Sequence, residues 1–313
     1  MGLRNSSDQR QNSWTKSQWI TVFRDLPIER KPPLLDLRSE TEFVRQHVAY
    51  ASNFPFSEEF GVESRLNELP AVSTQPHIAV IVDWDRFYSI STQLKCRGYP
   101  TPIHLDEKDV RDLPKSSGPS RALWAPAPIV IEELPRFYAN TSRTAIDIGC
   151  GSGRDAAFLA GAGFSVTAVD RDTNLINKAT QFCMRNQYHP LLPSCHLGGK
   201  VYPLVRTFGA NLSEDRAFLR SHASGVMLVV RFLRRGVLDI LHEGVLPGGI
   251  IVYEHFLTGC EKFGSPTKQS QMLRRGELRE VFGEAHNFTV LRDEECTLDD
   301  GRPVVRFVAL RHT

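Results

Sequence analysis

The stretch AIDIGCGSGRD, Ala145 to Asp155, decides how the chain is read. Ala145, Ile146 and Ile148 give it an apolar, strand-like start, with Asp147 set among them. Gly149, Gly151 and Gly153 follow at alternate positions, and RDAAFLA, Arg154 to Ala160, has the composition of a helix. A strand that ends in a glycine-rich turn and feeds a helix is a ligand site by construction. Backbone without Cβ atoms lets a ligand come close, and the helix start offers free N–H donors.

Three ligands share this architecture. A triphosphate loop needs Gly-Lys-Ser/Thr four residues after its first glycine, and no lysine follows here. A dinucleotide fingerprint needs a third glycine where Arg154 stands. The spacing Gly149-x-Gly151-x-Gly153, preceded by Asp147, points instead to S-adenosylmethionine. That cofactor has no pyrophosphate to neutralise, and its ammonium group is attracted by an acid at the strand tip. The next strand, SVTAVD, ends on Asp170. A carboxylate there accepts from both ribose hydroxyls, and it repels the 2′-phosphate of NADP.

Working outward, strands are expected at 144–149, 165–170, 201–207, 225–230, 249–254, 288–293 and 304–311. Helices are expected between them, including 172–185, 234–243 and 276–285. Five strands with crossover helices and two late strands predict a doubly wound, seven-stranded α/β sheet ending in a hairpin. Upstream, PLLDLRSETEF and HIAVIVDW read as strands of a smaller parallel-sheet module, with Ser39 and Glu42 spaced for a capping box. A helix is read over SISTQLKCRGY, stopped by Gly98 and Pro100. The segment LPKSSGPSRALWAPAP has linker composition, although Leu123, Trp124, Ile129 and Ile131 are too apolar for a free tether. The expected organisation is a disordered tail over 1–12, a first domain over 13–115, a linker over 116–135 and a second domain over 136–313.

Composition sets the outer bounds. With 313 residues and a formal net charge of +2, the chain holds two ordinary domains and has no bulk charge suited to nucleic acid or a membrane surface. The polar N-terminus lacks an apolar signal core, so a cytoplasmic protein is expected; its acid-poor character leaves organelle targeting open, and MGLRNS fits a short myristoylation pattern at Gly2. Cys96, Cys150, Cys183, Cys195, Cys260 and Cys296 have no CxxC spacing, so reduced thiols are expected, with no metal site.

The matching runs DIGCGSGRD, GFSVTAVDRD, VVRFLRR, LPGGIIVYEHF and MLRRGELREVF make Thr144 to His312 resemble class I S-adenosylmethionine-dependent methyltransferases of the tellurite-resistance-type branch. The resemblance implies a cofactor site of Asp147, Gly149, Cys150, Gly151, Gly153, Asp170 and Arg171. It adds Asn211 and Leu212 near adenine, where the family often has an acid. On the acceptor side it implies Arg231, Glu254 and His255, with His255 either titrating or merely packing. The chain lacks the (D/N)PP(Y/F/W) segment of nucleic-acid amino methyltransferases and reads VVRFLRR there, so a small acceptor is expected, a thiol or chalcogen species among the candidates. Arg231, Arg234 and Arg235 suit an anionic one. A protein or RNA acceptor, and a non-enzymatic binding protein, are the alternatives.

Pro33 to Phe56, with Asp36, Arg38, Glu42, Phe43 and His47, resembles a rhodanese domain, and the likeness continues through HIAVIVDWDRFYSISTQLKCRGY. The persulfide-bearing cysteine expected in the loop after the second strand is missing. The loop reads DWDRFYS, Asp83 to Ser89, and Cys96 lies too far along. This domain is therefore expected to be silent in sulfur transfer and to act as a scaffold, a partner-binding surface or a lid.

Overall fold

The computed structural model describes residues 14–58, 61–70, 72, 76–139, 142–186, 189, 191–192 and 198–313. The expected tail with its Gly2 pattern, and Cys195, lie outside these residues. The chain divides into two units, one ending at Trp124 and the other running Ala125–Thr313. Within the expected linker, Leu123 is half-buried against the core of the first unit, and Ile129 and Val130 are buried in the second.

The first unit contains α1 (Lys16–Asp25), β1 (Leu34–Asp36), α2 (Glu40–Arg45), β2 (His47–Val48), β3 (Ser52–Asn53), β4 (Ala79–Ile81), α3 (Trp84–Cys96), β5 (Ile103–Leu105) and β6 (Lys115–Ser116). Four of the strands form a parallel sheet in the order β3-β1-β4-β5, while β2 and β6 make a separate antiparallel pair. Parallel strands are covered on both faces, and their sequences are accordingly apolar throughout. Leu34, Ala79, Ile81 and Leu105 pack on one face, and Leu35, Ile78, Val80, Ile90 and Leu94 on the other. The Ser39–Glu42 capping box forms as its spacing predicts. The helix over SISTQLKCRGY needs correction. It starts at Trp84, because Phe87, Ile90 and Leu94 keep an unbroken helical stripe against the sheet. Val82 and Asp83 alone join β4 to α3, so most of the expected loop Asp83 to Ser89 is the first turns of a helix.

The second unit opens with two short helices, α4 (Pro128–Glu132) and α5 (Leu134–Ala139). It continues through β7 (Thr144–Ile148), α6 (Arg154–Gly161), β8 (Ser165–Asp170), α7 (Thr173–Arg185), β9 (Lys200–Val205), α8 (Leu212–Ser221), β10 (Ser224–Val230), α9 (Arg235–Leu238), β11 (Val245–Phe256), α10 (Glu277–Val281), β12 (Phe288–Thr297) and β13 (Pro303–Arg311). The sheet order is β12-β13-β11-β10-β7-β8-β9. Only β13 runs against the others, inserted between β11 and β12. The seven expected strands are all present, and the late pair forms the hairpin. Two expected helices are shorter than their apolar patterns suggest: 234–243 becomes α9 followed by a 3-10 turn at Leu241–Gly244, and 276–285 becomes α10 followed by Glu284–His286. Gly236, Gly244 and Gly283 interrupt those segments, and a glycine weakens a helix by about 1 kcal/mol relative to alanine.

The central strand β7 sends its chain to β8 on one side and has β10 on the other. The strand order reverses there, which leaves a crevice above the carboxyl ends of β7 and β10, where open α/β sheets bind ligands. Among the described residues no helix is long and apolar enough to cross a membrane.

Candidate active site

A cavity of about 890 Å³ opens at this crevice. The turn after β7 forms one wall. Gly149 has φ +79°, and a Cβ there would stand 2.6 Å from Cβ of Phe232, so the turn and the segment after β10 touch only because side-chain atoms are missing. Gly151 has φ +54° and meets nothing within 4 Å: its missing Cβ faces open space, as a ligand cradle requires. Gly153 occupies the N-cap position of α6.

Two acids hold the turn. Asp170 ends β8; one carboxylate oxygen accepts from the Gly151 N–H at 3.0 Å and the other from the Asp172 N–H at 3.0 Å. It therefore ties the glycine turn to the neighbouring strand and lines the cavity. Asp147 is buried, and its Oδ2 has no hydrogen-bond partner among the described residues. Burial, reinforced by Asp155 and Asp170, raises its pKa well above the usual carboxylate range. Asp155 accepts from the Ala127 N–H at 2.7 Å, and desolvation lifts its pKa to about 6. An orphaned buried carboxylate beside an open glycine cradle is a site that a cation completes. These residues fit S-adenosylmethionine, whose sulfonium and ammonium supply that charge. Cys150 and Cys183 near the same turn are free thiols; burial raises both, Cys183 to about 12, so neither is a ready nucleophile.

The opposite wall comes from the ends of β10 and β11. Arg231 follows β10 with φ +58°, an uncommon conformation for a side chain of its size. Its N–H donates to the Glu254 carbonyl at 2.8 Å, and its guanidinium reaches Oε1 of Glu254 at 2.7 Å. Arg306 from β13 donates to the other Glu254 oxygen at 2.8 Å. Glu254 is fully buried between these arginines, which hold both of its oxygens, and it stands outside the cavity wall. His255 is 4% exposed and borders the cavity. Its Nε2–H donates to the Gln271 carbonyl at 3.0 Å, which leaves the lone pair on Nδ1, an atom without a partner among the described residues. Burial, with help from Arg231 and Arg235, depresses its pKa to about 4.

Of the expected residues, Gly149, Asp170, Arg171, Arg231 and His255 line the one cavity. Asp147, inside β7, and Cys150, Gly151 and Gly153 of the turn that follows it stand back from that wall. Asn211 and Leu212 are elsewhere: Asn211 caps α8, accepting from Ser213 and Glu214 N–H groups, and neither residue is in the wall. Asp215 bends the chain back, bonding the Gly209 N–H at 2.7 Å and Arg206 at 2.8 Å, so Phe208 and Gly209 face the cavity instead. Sequence reading also missed Phe232, Phe256, Lys268 and Arg302. Phe256 has the guanidinium carbons of Arg231 and Arg302 each 4.6 Å from its ring centre. Arg302 lies in the β12–β13 turn, and no local pattern links it to the glycine turn.

Residues 139–252 match the family described as "Tellurite resistance protein TehB". The uncharacterized protein UNK4.09 of Schizosaccharomyces pombe is 25% identical over 318 residues, covering 86% of this chain and 91% of that protein. Among solved structures, TehB from Haemophilus influenzae is similar with a TM-score of 0.43 and 16% identity over 57% of this chain and 61% of its own. Magnesium protoporphyrin IX methyltransferase from Synechocystis PCC 6803 with bound SAH gives a TM-score of 0.42 and 14% identity over 58% and 81%. The matched residues carry the glycine turn and strands β7 to β10 and end within β11; the second unit is a methyltransferase with S-adenosylmethionine as its cofactor.

Proposed function

We propose that the S-adenosylmethionine-dependent methyltransferase in the second unit methylates a small molecule that arrives already ionised, a thiolate or another chalcogen anion. The observation that carries this reading is the condition of His255 and Glu254, the two titratable groups at the end of β11 on the acceptor wall. Burial depresses the His255 pKa to about 4, and Glu254 is turned away from the cavity onto Arg231 and Arg306. An amine or alcohol needs a base to take its proton during transfer, whereas a thiolate needs little. When bound, S-adenosylmethionine supplies a methyl group already activated by its sulfonium. The chain's task is then to bind and align. Asp170 is assigned to the ribose hydroxyls, Asp147 to the cationic methionine end through the turn of Gly149, Cys150, Gly151 and Gly153, and Phe208 with Gly209 to the adenine side. Arg231, fixed by Glu254, faces the acceptor, and Arg171 stands beside the nucleoside.

Calorimetric titration of the intact chain with S-adenosylhomocysteine tests the cofactor half. Binding in the micromolar range is expected, weakened at least tenfold in Asp170→Ala. A folded protein that releases no binding heat refutes it.

The first unit is best read as rhodanese-like, spanning about 13–115, with residues 116–135 joining it to the methyltransferase. Its missing cysteine and the direct passage from β4 into α3 argue against sulfur transfer. A second reading, a protein or RNA acceptor recruited by this unit, has one observation in its favour. Trp84 and Tyr88, one turn apart on α3, are 68% and 82% exposed. Incubation with labelled cofactor and cell extract separates the two: label in macromolecules favours recruitment, label in small products favours the first reading.

A further inference from the structure

The charge on the cavity wall points beyond a bare nucleophile. Seven cationic side chains border the cavity and a single carboxylate does, Asp170. Four of the seven are already matched by acids behind the wall: Arg206 by Asp215, Arg231 by Glu254, Arg235 by Glu277 and Arg302 by Asp300. Arg171, Arg234 and Lys268 have no carboxylate within ion-pair distance among the described residues, and Arg234 and Lys268 are exposed at the rim. Arg171 follows Asp170 on the nucleoside side; Arg234 precedes α9, and Lys268 lies in the segment between β11 and α10. The bound cofactor adds further positive charge, because its sulfonium and ammonium outweigh its one carboxylate. A thiolate acceptor removes one unit of that excess and leaves the rest.

The wall is also aromatic. Phe208, Phe232 and Phe256 border the same space, and the guanidinium carbons of Arg231 and Arg302 each stand 4.6 Å from the Phe256 ring centre. Such a surface takes an organic body, since rings and guanidinium planes gain from a flat apolar partner that a hydrated inorganic oxyanion cannot provide. The cavity is large enough for both occupants. Its volume of about 890 Å³ lies near the top of the ~300–1,000 Å³ range of ordinary small-molecule sites.

We infer that the acceptor is an organic molecule with a second anionic group, a carboxylate or a phosphate, bound by Arg234 and Lys268 while its body lies against Phe256 and its nucleophile faces the donor. Arginine recognises either oxyanion through its two-pronged N–H geometry, and lysine adds a mobile point charge. This rests on the methyltransferase reading given above.

The test uses the full chain, saturated with S-adenosylhomocysteine so that no methyl is transferred. Two probes of near-identical shape, 4-mercaptobenzoate and 4-mercaptobenzamide, are titrated calorimetrically. The carboxylate is expected to bind at least tenfold more tightly. In the Arg234→Gln/Lys268→Gln double variant that preference should vanish while S-adenosylhomocysteine affinity stays within twofold. The single variants, each removing an exposed side chain, guard against misfolding and should each lose part of the preference. Equal affinities, a preference that survives the double variant, or S-adenosylhomocysteine binding with neither probe bound overturns the inference and leaves the cofactor reading intact. Failure to bind S-adenosylhomocysteine at all sinks the cofactor reading and this inference together.

Discussion

His255 shows how burial sets chemistry at a single residue. It is neutral at physiological pH because water is excluded and because Arg231 and Arg235 lie nearby. Its folded pKa of about 4 lies below the ordinary histidine value of 6.5. Above pH 6.5 both folded and unfolded chains keep it neutral, and stability is flat. Between 6.5 and 4 only the unfolded chain takes up the proton, so stability falls as pH falls, by up to about 3 kcal/mol. Urea denaturation at pH 7 and pH 5 should show this loss in the natural protein and a smaller one in His255→Gln. A loss of the same size in both would mean that other groups dominate. Gly149 belongs to the same scale. Gly149→Ala meets Phe232 at 2.6 Å in a left-handed conformation, so a loss of at least ~1–2 kcal/mol and a collapse of S-adenosylhomocysteine binding are expected.

At the level of elements, β11 is the structural hub of the acceptor side. It lies between β10 and β13, and Glu254 near its end receives Arg231, which follows β10, and Arg306 of β13. The ion pairs continue from Arg306 to Glu132 on α4, and from Glu132 to Arg292 on β12. Removing the central acid takes from Arg231 its carboxylate partner and leaves Arg306 with Glu132 alone. Glu254→Ala should therefore cost about 3 kcal/mol by chemical denaturation, and Glu254→Gln less, because the amide still accepts one hydrogen bond. If Glu254 acted as a base, the glutamine variant would instead keep its stability and lose turnover with a changed pH profile. The left-handed Arg231 depends on the same acid, so loss of Glu254 should also raise the KM for any acceptor more than it lowers kcat.

For the whole molecule, the two units differ in what they offer to chemistry. One presents an intact cofactor turn; the other presents the carboxyl ends of a parallel sheet with no cysteine among them. Assay of the intact chain with thiosulfate and cyanide should give no thiocyanate above background, and Cys96→Ser should change nothing. Measurable turnover abolished by that substitution would reverse the reading of the first unit. One equivalent of S-adenosylhomocysteine per chain is expected.

The sequence by itself determined the strand inventory of the second unit, the glycine turn and the acid closing β8. These are local properties: alternating or continuous apolar runs, residues able to take positive φ, and an acid at a strand end lie within a few positions of one another. It did not determine helix extents where glycines intervene, nor the passage from β4 into α3, which packing of Phe87, Ile90 and Leu94 settles. Nor could it show that Glu254 is enclosed by Arg306, fifty-two positions away, that His255 bonds the Gln271 carbonyl, or that Asn211 caps a helix while Phe208 faces the cavity. Those facts arise only when distant segments meet, and a pattern read along the chain holds no trace of which charge will find its partner across the fold.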